Sequence, residues 1–494
     1  MLGSMLRRFC NSWCSAPSRR ALLALGLVFA LTLPGVTRRL YASDEVQYVS
    51  FLRSLWFDRD LSFDNEYRQF YESGAGRDPG FVATNIEPTT ETGLRRNFGT
   101  IGSALLWAPF YAVADAGTRV ARATGARVEA DGYSAPYISA VCLGSAVYGL
   151  LALALAWCAA RRVLRLAGAD ARTSPAIAAW AVGLGTPLLF YMYVAPGFAH
   201  ATSAFAVSAF VLAWLVVRDR WSVGGLVVLG ALGALMAMVR EQDAFLAIGP
   251  AIDLVWTVAR ERRVRVLGPA LAGAAACAVA YLPQAAAYMV INGHLGPSRL
   301  VSRKMAWSAP HAVQVLLSPE HGFLFWTPLA VLALAGLALL IVRPSGGLAP
   351  GSGDGNGDPD AALRVGVGLA AMVIAQVYVA GSVESWTVAG AFGQRRFVAL
   401  TAPLVIGLAM LGARMPRRGW RAATTVLVAV CVWWNLGLIV QFGAGLMDRQ
   451  RLEPGRNAYN TFIIVPQRLP EIAYRYLFER GSFYRRPPPG GGRP

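Results

Sequence analysis

Long apolar runs, separated by short clusters of arginine, recur along the whole chain. The runs fall at residues 21–36, 135–160, 175–194, 200–217, 223–239, 244–258, 267–291, 322–342, 365–380, 397–413 and 423–441. Each is long enough, or nearly so, to cross a hydrocarbon core about 30 Å thick as a helix, which predicts about eleven spans. The expected fold is therefore an all-α polytopic membrane bundle over residues 21–441. Arg7, Arg8, Arg19 and Arg20 precede the first run. This pattern resembles a signal peptide, but no small-residue cleavage site follows, so the run reads as an uncleaved span with residues 1–20 inside.

Charge tests that parity. With the N-terminus inside, the inside loops carry Arg161, Arg162, Arg165 and Arg172, then Arg218 and Arg220, then Arg260, Arg262, Arg263 and Arg265, then Arg414, Arg417, Arg418 and Arg421. Every short inside loop is basic, as the positive-inside rule requires. Residues 98–113 are apolar enough to compete as a span, but counting them would move every later arginine cluster outside. Gly99, Gly102 and Pro109 also interrupt them. They read as a helix lying at, or dipping into, the outer interface.

The outer segments are then a long first loop at 37–134, a second at 292–321, a third at 381–396, and the tail 442–494, with a Pro/Gly-rich end that reads as disordered. Within the first loop, Val46, Val49, Leu52 and Trp56 fall at helical spacing, which predicts an amphipathic helix in the membrane plane. Residues 343–360, rich in Gly, Pro and Asp, read as a flexible inside loop.

Composition narrows the class. The chain has 494 residues, 55% of them hydrophobic and 15% charged, with mean hydropathy +0.44. The net charge of +18 raises the possibility of a nucleic-acid partner. Its confinement to loops between apolar runs argues instead for membrane lipids as neighbours and against nucleic acid. All 46 basic residues except Lys304 are arginine, a skew that fits a GC-rich genome and weakens any argument from Arg over Lys at one site. The six cysteines form no disulfide framework or zinc pattern, so no metal ligand set is read.

The polar residues gather on the outer side. His200, His294, His311 and His321 lie there, with Asp44, Glu45, Arg240, Glu241, Gln242, Asp243, Glu320, Glu384, Arg395 and Arg396. Ionisable groups at span ends face a cavity or a partner, because lipid exposure is costly. Asp44-Glu45 is the sharpest feature, since a carboxylate there can act as general base toward a hydroxyl. The bland alternative is a helix N-terminus. Arg395, Arg396 and Arg240 are candidates for a phosphate, which guanidinium binds bidentately; the alternative is headgroup anchoring. His200, Gln242, Asp243, Glu320, His321 and Trp386 are candidate cavity walls, Trp386 as a platform for a sugar ring or simply as an interfacial tryptophan.

The layout of one span followed by an acidic pair opening a long outer loop resembles the GT-C class of membrane glycosyltransferases. Ser43-Asp44-Glu45 through Arg53-Ser54-Leu55, then Asp58-Arg59-Asp60-Leu61, resembles the opening of bacterial relatives of lipid A aminoarabinose transferases and protein O-mannosyltransferases. Glu320-His321-Gly322 with Trp326-Thr327-Pro328, and the stretch from Phe392-Gly393 to Arg396, resemble segments of other bacterial members. The resemblance implies a GT-C-like bundle in a bacterial inner membrane, serving cell-envelope glycan biosynthesis. It implies transfer of a sugar from a polyprenyl-phosphate carrier to a hydroxyl of a glycan, lipid or protein on the outer face, usually with inversion. Asp44 falls where that class has its catalytic aspartate, and Glu45 matches the neighbouring acid of the mannosyltransferases. One departure stands out: where a second acid is common at the turn between the third and fourth spans, this chain has His200. Neither a cofactor nor a divalent metal is implied with certainty. The rivals are a transporter or flippase of lipid-linked glycans, which predicts repeated halves and charges in mid-span, and a catalytically silent protein of the same fold.

Overall fold

The computed structural model describes residues 16–75, 80–171, 174–344, 357–388, 390–415 and 418–483. The described residues are helical with no strand, only the isolated bridges Thr89–Arg95 and Met305–Val383. Helix covers every apolar run. Among the described residues, six helices are long and apolar enough to span a membrane: Ala135–Leu166, His200–Val217, Val264–Asn292, Pro359–Ser382, Arg395–Arg414 and Gly419–Ala444. Four shorter apolar helices accompany them: Leu23–Gly35, Ser174–Gly185, Val223–Val239 and Leu329–Val342. The architecture is that of a multi-pass membrane protein.

His200–Val217 and Arg395–Arg414 are apolar on all sides and lie at the centre, while Val264–Asn292 and Gly419–Ala444 keep most of their surface outward. Small residues let the central helices meet backbone to backbone, the usual device where lipid supplies no hydrophobic drive between helices. A Cβ on Gly407 would lie 2.1 Å from the Ala333 carbonyl oxygen, and one on Gly336 would lie 1.8 Å from that of Gly407. Gly407→Val therefore forces Leu329–Val342 away from Thr401–Arg414. The expected loss is about 1–3 kcal/mol, read as a lower thermal midpoint in detergent; an unchanged midpoint would refute the close crossing.

Several runs that read as unbroken spans are interrupted. Residues 175–194 form Ser174–Gly185 and Leu188–Tyr193, parted at Thr186-Pro187. Pro187 has no N–H to give, and the Asn435 amide answers the freed carbonyls of Leu184 and Thr186 at 2.7 and 3.0 Å. Residues 322–342 break at Thr327-Pro328, and residues 244–258 become a 3-10 turn, Glu241–Ala247, followed by Ile248–Arg260. The latter helix carries Asp253, fully buried and bonded to Arg218 at 2.7 Å and to the Trp214 indole at 2.9 Å, a pair the sequence reading did not foresee.

Several arginine-bearing segments bond to one another at one end of the bundle. There Arg162 reaches the Leu215 carbonyl, Arg414 reaches the Ala167 carbonyl, and Asp358 N–H bonds to Leu166. At the other, the first loop ties to the tops of the helices: Thr37 N–H donates to Tyr193, Thr92 to Ile291, and Thr100 to Val239.

The first loop is compact. Its Ser43–Arg53 helix buries Val46, Val49 and Leu52, but Glu45, Gln47 and Ser50 are buried as well. The helix is thus enclosed by protein beyond its apolar face, and Trp56 falls off that face in the π-turn Ser54–Asp58, where its indole bonds to Asp115. Residues 98–113 belong to a longer helix, Gly102–Ala123, which runs through Pro109 and leaves Leu105, Val113 and Val120 exposed. It is not among the helices long and apolar enough to span.

The segment read as an outer tail is folded through Phe483. It turns back as Pro454–Tyr459 and Val465–Phe478 onto the exit of the first apolar helix. The N-terminal residues 1–15, the centre of the loop at 345–356 and the Pro/Gly-rich end at 484–494 lie outside the described residues.

Candidate active site

Asp44 and Glu45 open the Ser43–Arg53 helix, where acids favour the N-terminal dipole. Adjacent helical residues point about 100° apart, so the two acids part company. Glu45 turns inward. Its Oε2 accepts from the Tyr41 and Ala42 N–H groups at 2.8 and 3.1 Å, and its Oε1 from the Gly197 N–H at 3.2 Å. A Cβ at Gly197 would strike Leu40 at 2.6 Å, so glycine is needed for that approach. Burial pushes the Glu45 carboxyl up to about 7, against the three N–H groups that favour its charged form. The residue assigned to catalysis beside Asp44 is therefore engaged in holding the first loop to the 197 turn.

The folded state holds a proton on Glu45 that the unfolded chain has lost above its ordinary value near 4.5. Stability from this group is full at low pH and is lost as pH rises through about 7, a swing of up to about 3 kcal/mol. Glu45→Gln should flatten the fall in thermal midpoint between mildly acidic and neutral pH; an unchanged slope would remove Glu45 as its source.

Asp44 turns outward and meets Arg395 at 2.8 Å, with 43% of the Asp44 side chain and 22% of the Arg395 side chain exposed. From there a continuous series of contacts crosses the site. The Arg395 guanidinium lies 5.3 Å over the Phe198 ring, which stacks on His200. His200 Nδ1 meets Arg240 Nη1 at 3.0 Å; an arginine only donates, so this nitrogen accepts. Tyr191 packs edge-on against His200, with ring centroids 4.4 Å apart. Asp243 is fully buried beside Arg240 and accepts from the Ser203 hydroxyl at 2.6 Å; burial pushes its carboxyl up to about 6. Four segments far apart in sequence thus build one charged cluster at the first-loop end of the bundle.

The third loop forms the adjoining wall, and Arg396 belongs to it. Its guanidinium donates to the Ser385 carbonyl at 3.1 Å and to that of Trp386 at 3.4 Å, so the expected arginine pair is divided between two tasks. Gln394 also donates to the Trp386 carbonyl. The Trp386 ring lies against His311. His321 is buried, stacks on Trp326 at 4.7 Å between centroids, and donates from Nε2 to the Ala391 carbonyl at 2.8 Å. Burial holds its ring down at about 4, so it is neutral at ordinary pH and braces the segment leading to Arg395. Glu320 is exposed and takes no part in the cluster. The Gln242 amide nitrogen is buried with no hydrogen-bond partner among the described residues. Also among the described residues, no group of three or more His, Cys, Asp or Glu is placed to hold a metal.

The sequence matches no family model and no curated relative. Among solved structures, the fold is similar to the crystal structure of ArnT from Cupriavidus metallidurans in the apo state, at 14% identity and TM-score 0.49, over 94% of this chain and 74% of that one. A likeness of that strength carries no functional argument.

Several members of the cluster escaped the sequence reading. Tyr48 lies one helical turn after Asp44, a spacing that puts both on one face; burial pushes its hydroxyl up to about 12. Phe198, two residues before His200, supplies the ring beneath Arg395. Tyr191 and Ser203 had no local signal, since each lies in an apolar run and gains its role only from a distant partner.

Proposed function

We propose that the chain is a membrane glycosyltransferase of the GT-C type. It moves a sugar from a polyprenyl-phosphate carrier to an acceptor hydroxyl on the outer face of a bacterial inner membrane, with Asp44 as general base and Arg395 and Arg240 as phosphate partners. The observation that carries this reading is the partly exposed Asp44–Arg395 pair, an acid and a base of the cluster that meet at 2.8 Å. Glu45 and Asp243 are occupied by backbone N–H groups and by Ser203, which leaves Asp44 as the available carboxylate. Asp44 neutralises Arg395. A donor phosphate takes Arg395 in its place and frees the carboxylate.

The acceptor oxygen then attacks the anomeric carbon. The bond from that carbon to the phosphate oxygen breaks, its electron pair stays on the phosphate, and the acceptor proton goes to Asp44. Arg395 and Arg240 stabilise the charge that grows on the leaving phosphate. A single displacement by one base inverts the anomeric centre. His200, held by Arg240 and two rings, stands where a second acid is common in this class and keeps Arg240 turned toward the cluster.

The transporter reading gains one observation, the buried Asp253. Its pairing with Arg218, at the opposite end of the bundle from Asp44, accounts for it as a structural bond. The direct test is transfer by purified protein in detergent from short-chain prenyl-phosphate sugars. Release of prenyl phosphate matched by glycosylated acceptor supports the reading; transbilayer movement of the same lipids without bond cleavage would overturn it.

A further inference from the structure

A second polar cleft lies where the first apolar helix leaves the bundle. Its volume is about 350 Å³, and Pro34, Thr37, Arg38, Arg39, Leu477 and Arg480 line it. The cleft is built by long-range contacts. Arg480 donates to the Val36 carbonyl at 2.9 Å and to the Pro34 carbonyl at 3.2 Å, while its guanidinium lies 4.3 Å over the Tyr476 ring. The Tyr476 hydroxyl donates to the Gly35 carbonyl at 2.9 Å. One wall is thus fixed to the other across more than four hundred residues of sequence.

Two observations identify the occupant. Arg38 and Arg39 are exposed, and no carboxylate among the described residues pairs with either. Two guanidinium groups beside a third attract an anion, and phosphate suits their planar donors. The surfaces leading to the cleft are apolar. Leu23, Leu27 and Leu31 form an exposed stripe along the first helix, and Tyr474, Leu477 and Phe478 are exposed on the Val465–Phe478 helix. An anion held between two such surfaces, just past the end of an apolar helix, carries hydrocarbon chains with it.

We infer that this cleft binds the phosphate headgroup of an anionic phospholipid, whose acyl chains run down the leucine stripe. Tyr41 lines the cleft and its N–H holds Glu45, but no residue of the Asp44 cluster lines it, and the inference does not depend on the transferase reading. Its role is to hold the folded C-terminal segment and the first helix to the membrane surface through a shared lipid.

The test uses the full-length protein in neutral-detergent micelles with photoactivatable phosphatidylglycerol. Crosslinks should map to the peptide containing Leu477 and Arg480, with the matching phosphatidylcholine labelling it far less. Arg38→Gln with Arg39→Gln should lower that labelling about tenfold. Arg38→Lys with Arg39→Lys, which keeps the charge, should restore most of it and guards against a folding defect. Millimolar inorganic phosphate should leave the labelling in place. Displacement by inorganic phosphate would overturn the lipid assignment, and so would labelling that is equal in the glutamine variant and the wild type.

Discussion

Asp44→Asn should lower transfer by about 10²-fold or more, the usual worth of a general base, while donor binding survives. The substitution suits the site. Asparagine keeps an oxygen that can accept from Arg395, and the neighbouring anchor Glu45 is untouched, so the first loop stays docked. Only the capacity to take a proton is lost. Transfer assayed beside equilibrium binding of a prenyl-phosphate sugar separates the two effects. Full transfer by the folded variant would remove Asp44 from the mechanism.

Arg395→Ala should act differently, weakening donor affinity and lowering the rate together by about 10²–10³-fold. Its guanidinium would meet a group that is charged both when bound and when leaving, so both quantities feel its loss. Arg396→Ala provides the contrast. That guanidinium holds the Ser385 and Trp386 carbonyls, so its removal should loosen the third loop, with a smaller loss of affinity that Arg396→Lys partly repairs. Equal damage from both alanine variants, with equally lowered thermal midpoints, would mean that the two arginines serve only the fold.

The membrane architecture was legible because it depends on local signals. Apolar runs fix where helices form, and helix covers every run. The breaks were half-legible. Pro187 and Pro328 stand in plain view, but only the distant Asn435 makes the first of them tolerable, and no local pattern reveals that partner. The folding back of the C-terminal segment is of the same kind, since Tyr476 and Arg480 find their carbonyls at Pro34, Gly35 and Val36.

The candidate site divides along that line too. Asp44, His200, Arg240 and Arg395 could be named from their positions at span ends. Which of two adjacent residues faces the site could not be. Asp44 and Glu45 are alike in sequence, and so are Arg395 and Arg396, yet in each pair one member is bound by backbone groups and the other joins the cluster. The difference lies in helix phase and in partners from other segments, and one sequence carries neither.

The most direct measurement is a density map of the full-length protein with a polyprenyl phosphate bound. The account predicts the phosphate on the Arg395 guanidinium, within reach of Arg240, with the Asp44 carboxylate released and facing the anomeric position. A phosphate bound elsewhere, with the Asp44–Arg395 pair still closed, would contradict it.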